Sequence, residues 1–145
     1  MNQQNPFLQV VAAYEQAVFT KNVEAFTGLY TKDVHIFDMW GEWSIQGLDN
    51  WRAMAEGWFS SLETERVVVT SEVIDSTITD ELAVGYAYFT YTAIAENGEK
   101  LRSLTNRVSM ALRKIGDNWK IFHEHTSAPI DHQSLQAILQ RQPGK

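Results

Sequence analysis

Asp38 is the first residue of the chain whose type and setting could do acid–base chemistry. Val34 and Ile36 precede it at alternate positions, so in a strand the three side chains share one face. Two apolar neighbours make that face the buried one. A carboxylate among apolar side chains is partly desolvated, which raises its pKa toward the range of a general base. Trp40 and Trp43 follow closely and could supply apolar walls. Asp38 also opens the turn-like segment 38–43, where aspartate commonly bonds to the backbone, so a capping role stands beside the chemical one. Tyr14 lies on the apolar side of a helical pattern. A phenol keeps its proton at neutral pH and can donate to negative charge that develops at a fixed point. As a core residue it would spend the hydroxyl on any nearby partner.

Near the C-terminus, His123 and His125 alternate with Glu124 and Thr126. On a strand, both imidazoles share a face with Trp119 and Ile121, and Phe122, Glu124 and Thr126 share the other. Two histidines at this spacing could ligate a metal with a third carboxylate. No second His/Asp pair supports that, so neither metal nor cofactor is expected, and the histidines read as interface or structural residues.

The elements that must hold these groups follow from periodicity. Asn5-Pro6 opens a helix over 6–20 with Phe7, Val10, Val11, Tyr14, Ala17 and Val18 at helical spacing. A second helix is expected over 22–30 and a third over 48–62. Strands are expected over 33–37, 44–46, 65–76, 82–95, 101–114 and 119–127, and a short helix over 131–140. Helices first and an antiparallel meander afterwards mean an α+β chain, read as one domain over 1–145.

Composition narrows the partners. With 145 residues and 44% apolar content, the chain can bury a core of its own. It has no cysteine, which excludes disulfides and thiolate chemistry. Twelve Lys+Arg against eighteen Asp+Glu give a net charge of -6, a poor match to nucleic acid. No apolar run approaches a membrane span and no basic leader precedes one, so a cytoplasmic protein without a membrane partner is expected.

Two stretches resemble the SnoaL-like group of the nuclear transport factor 2-like superfamily. Val10–Tyr14, Leu29–Asp33, Phe37-Asp38-Met39-Trp40-Gly41 and Gly47 follow the ketosteroid isomerase pattern. The run 112–129, with its W-x-x-x-H-x-H-x-S-A-P spacing, is similar to the association domain of calcium/calmodulin-dependent kinase II. The resemblance implies a cone-shaped fold, with the helices packed on a strongly curved antiparallel sheet and a pocket at the open end. It places Asp38 as a proton-transferring base, Tyr14 as an oxyanion donor, and Glu124 as an inward second acid. The isomerase's further oxyanion acid has no counterpart, because the strand over 102–114 holds no Asp or Glu.

On the inner face so inferred, Tyr86, Tyr88, Arg102, Asn106, Val108, Met110, Phe122 and Thr126 join Trp40, Trp51 and Trp58 around a small apolar or aromatic ligand. Outward residues Ser109, Ala111, Trp119, Ile121, His123 and His125 would form the contact of a homodimer or larger ring. Two functions fit: an isomerase, cyclase or dehydratase, or a non-catalytic binding and assembly module. The superfamily hosts both.

Overall fold

A computed structural model describes residues 5–142 and 144 of the chain. Helix α1 (Pro6–Phe19) starts where the Asn5 side chain accepts from the amides of Phe7 at 2.9 Å and Leu8 at 3.2 Å. Pro6 fills the first helical position, where no amide proton is needed. Asn22 caps the short α2 (Val23–Thr27) in the same way. Strand β1 (Tyr30–Phe37) therefore begins at Tyr30, three residues earlier than the expected start, and α2 is shorter than 22–30. Then come β2 (Ile45–Gln46), α3 (Leu48–Ser61), β3 (Arg66–Ile78), β4 (Leu82–Ile94), β5 (Lys100–Ile115) and β6 (Asn118–Ser127).

The six strands form one curved, unclosed sheet in the order β2-β1-β6-β5-β4-β3. Every neighbouring pair is antiparallel except β1 and β6, which run parallel. That pair departs from the expected all-antiparallel meander. It also fixes the site, because Ile36 lies opposite Glu124 and Phe37 opposite His125. The next residue of β1's alternation, Asp38, thus falls beside Thr126.

The inner face of the sheet packs on α1 and α3 around Phe7, Val18, Phe26, Val34, Ile36, Phe89, Leu112 and Ile121, none of them exposed. The inner residues of β4 are Ala83, Gly85, Ala87, Phe89, Tyr91 and Ala93. Small side chains there let α1 lie close. A Cβ on Gly85 would meet the Phe7 ring at 2.3 Å, so only glycine fits under that ring.

Three expectations fail here. Tyr86 and Tyr88 lie on the outer face of β4, with Tyr86 44% exposed. A bulge in β6 opposite Ala111 and Leu112 changes its parity, so Phe122 turns outward under the Arg113 guanidinium, 4.2 Å from the ring centroid. Ile121 turns inward into the core, and Trp119 packs against that core instead of facing a partner. No helix forms over 131–140. Leu135 takes a positive φ of 60°, Ile130 bridges Ala137, and the side chains there other than Leu139 are exposed. Without an apolar face to bury, helical propensity alone does not hold so short a segment. No helix among the described residues is long and apolar enough to cross a membrane.

Candidate functional site

The open end of the fold encloses a cavity of about 540 Å³ between α1, α3 and the sheet. One wall is apolar, with Trp51, Met54, Trp58, Leu62, Val67, Ala93 and Leu104. The other carries Tyr14, Asp38, Tyr91, Asn106, Glu124 and Thr126. Trp40, 55% exposed, stands at the mouth, and Trp43 leaves the site altogether at 97% exposed. Val108 and Met110, expected as ligand contacts, are core residues packed behind the wall, each 1% exposed. Their inward parity is as expected, but they sit deeper than the cavity floor.

Asp38 follows Val34 and Ile36 on the inner face and is half-buried. Thr126 Oγ1 donates to Asp38 Oδ1 at 3.2 Å and accepts from the Met39 amide at 2.8 Å. Burial raises the pKa of Asp38, and donors from Thr126 and the Trp40 and Met39 backbone oppose that rise. The carboxylate thus lines the cavity and is also held by the turn at 38–40.

Glu124 is 2% exposed and enters from β6. The Tyr30 hydroxyl donates to its Oε1 at 2.7 Å. Burial pushes its pKa up to about 8; the Tyr30 bond lowers it, and the nearby Asp38 charge raises it. Glu124 therefore favours its protonated form at neutral pH. Environments that separate two carboxyls in this way divide acid from base.

Tyr14 and Tyr91 face each other with their hydroxyl oxygens 2.9 Å apart. Burial raises both pKa values. Each hydroxyl carries one proton and only one proton is used between them, so the accepting hydroxyl keeps its own for a further acceptor. Asn106 donates through Nδ2 to Met39 Sδ at 3.4 Å, and its Oδ1 is buried with no partner among the described residues. Arg102 reaches the rim, where it donates to Glu65 at 2.7 Å.

Tyr30 and Tyr91 were not among the residues singled out from the sequence. Tyr30 sits where a helix end was expected. Tyr91 lies on the face of β4 opposite to the one that the resemblance turned inward. The alternating small residues 83, 85, 87 and 93 carried the correct signal. Outside the cavity, His35, Phe37, His123 and His125 cluster on the outer face, with ring centroids 5.1 to 5.4 Å from Phe37. His123 Nδ1 lies 2.7 Å from the His35 carbonyl. Among the described residues no group of three or more His, Asp or Glu could hold a metal ion.

Comparison with known proteins agrees with this architecture. Over 94% of both chains, the structure is similar to a nuclear transport factor 2-like protein of unknown function from Pseudomonas putida KT2440, with a TM-score of 0.75 and 22% identity. A candidate calcium/calmodulin-dependent protein kinase II association domain from Xanthomonas campestris matches with a TM-score of 0.69 and 18% identity over 89% of both chains. A ketosteroid isomerase-like protein from Erwinia carotovora atroseptica SCRI1043 matches over 84% of this chain and 92% of that one, at 0.65 and 19%. At these identities the likeness is one of fold. No curated protein matches the chain. The model of the SnoaL-like domain matches residues 8–131. With most of its length so matched and its helices laid on one curved sheet, the chain belongs to the SnoaL-like domain family.

Proposed function

We propose that the protein binds a small, flat, apolar carbonyl compound and moves a proton on the carbon next to the carbonyl. The observation that carries this reading is that Asp38 and Glu124 line one cavity, with burial pushing Glu124 up to about 8; in this reading Asp38 is the base and Glu124 the acid. Asp38 takes the proton from carbon. The Tyr14–Tyr91 pair offers its remaining hydroxyl proton to the carbonyl oxygen as charge develops there. Glu124 returns a proton to the product, and the proton taken up by Asp38 passes by way of water to Glu124, which restores both groups. Trp51 and Trp58 supply faces for a flat ring, as aromatic walls of ligand pockets do.

The test uses 2-tetralone, a bicyclic ketone of suitable size, in deuterated buffer at pH 7. Proton NMR should show α-proton exchange above the buffer rate, and Asp38→Asn should slow it by about 10²-fold, the usual scale for a lost acid–base group. Ketone that binds without exchanging would refute catalysis. The second reading, a binding module without turnover, draws support from the hydrogen bonds that already engage Asp38.

The outer sheet face supports a homodimer. Phe37, His125, Ser109 and Tyr86 pair in one row across four strands, and Phe37 and Tyr86 are 39% and 44% exposed. A second copy of the chain would cover that row.

A further inference from the structure

Strand β6 ends at Ser127, opposite Arg107, so the edge of β5 from 100 to 106 runs on without it. The chain turns back to cover that edge. Ile138 donates to the Pro129 carbonyl at 2.8 Å and Ile130 bridges Ala137, which closes 129–138 into a unit of its own. Past it, the Leu139 carbonyl accepts from the Thr105 amide at 2.8 Å, and Gln140 Nε2 donates to the Ser103 carbonyl at 2.7 Å. Leu139 and Gln140 thereby become part of the cavity wall, next to Leu104.

We propose that this C-terminal strap is the movable entrance of the cavity and that Leu139 is its shutter. The proposal rests on the ligand-cavity reading above. Every side chain from 130 to 140 is exposed except Leu139, which is partly buried, and Ile130 and Leu135 are 65% and 76% exposed. The strap thus has almost no buried apolar area to lose on opening. Segments with few buried contacts open at low free energy, apart from the global unfolding of the sheet. The remaining anchor, Arg141, lies 3.1 Å from Glu72 and 4.0 Å from the Tyr88 ring centroid, on the outer face. It acts as a hinge pin outside the cavity. A ligand against Leu139 adds apolar contact that the empty strap lacks, so occupancy should hold the strap shut.

The Thr105 amide reports the motion, because its partner is the strap. Ser109 is the control: it lies on the same edge of β5 and pairs with His125 of β6. Hydrogen exchange of the full chain, read by NMR, should show Thr105 exchanging at least about tenfold faster than Ser109 without ligand. Saturating 2-tetralone should slow Thr105 by about tenfold or more and leave Ser109 unchanged. Leu139→Trp should weaken 2-tetralone binding by at least about tenfold by filling the space behind the shutter. Thr105 exchanging as slowly as Ser109 in the free protein overturns the proposal and makes the strap a fixed wall. So does 2-tetralone that binds the wild type but leaves Thr105 fast. A fast Thr105 with no 2-tetralone binding in the wild type supports the opening strap and refutes the ligand class instead.

Discussion

The Tyr30 hydroxyl donates to Glu124 Oε1 at 2.7 Å, joining the first residue of β1 to the inward carboxyl of β6. The bond favours the charged form of Glu124 against a larger burial effect. In Tyr30→Phe that support is lost, so Glu124 should stay protonated to a higher pH. Its protonated-carboxyl infrared band should persist beyond the wild-type midpoint, with a stability loss of about 1 kcal/mol for the missing bond. A band that vanishes at lower pH in the variant would contradict this.

Stability should fall as pH rises from about 5 to 8. Burial raises the folded-state pKa of Glu124 to about 8, above its ordinary value of 4.5. Between these values the folded protein holds a proton that the unfolded chain has released, so stability falls with pH. Glu124→Gln removes the titration, and its melting temperature should change less over that range. A parallel pair of melting curves would refute the assignment.

Gly85→Ala should destabilise the fold by about 1–3 kcal/mol, the range for overpacking a core. The added Cβ would lie 2.3 Å from the Phe7 ring and force α1 off the sheet. Denaturant titration measures it, and an unchanged midpoint would show that α1 can shift freely. Phe7→Leu, with its smaller side chain, should recover part of the loss.

Light scattering at micromolar concentration should give twice the monomer mass. Tyr86→Glu, placed in the row that also holds Phe37 and His125, should return the monomer by burying an unpaired charge. A monomeric wild type would leave that row as plain surface.

The fold was legible because its signals are local. Asn5-Pro6, the spacing from Phe7 to Val18 and the turns at Gly98 and Gly116 each dictate one element. Strand alternation put Asp38 on the buried face, and the family resemblance turned Tyr14, Glu124, Asn106 and Thr126 inward; all five line the cavity. Phe122 was misplaced because a bulge adds a residue without a marker in composition. Tyr86 and Tyr88 fall outside because the resemblance assigned the opposite parity to β4, whereas the face under a helix carries the small residues. The inward face of Tyr91 is written in the small residues of β4, but the Tyr30–Glu124 and Tyr14–Tyr91 partnerships span 94 and 77 residues, which no local pattern encodes.

The central claim is that one cavity holds two carboxyls in opposite protonation states. Carbon-13 NMR of the side-chain carboxyls, assigned with Asp38→Asn and Glu124→Gln, reads both states at pH 7 in the unliganded protein. Asp38 should show the shift of a carboxylate and Glu124 that of a carboxylic acid, with Glu124 titrating near pH 8. Both groups ionised at pH 7, with Glu124 titrating near its ordinary value, would contradict the account.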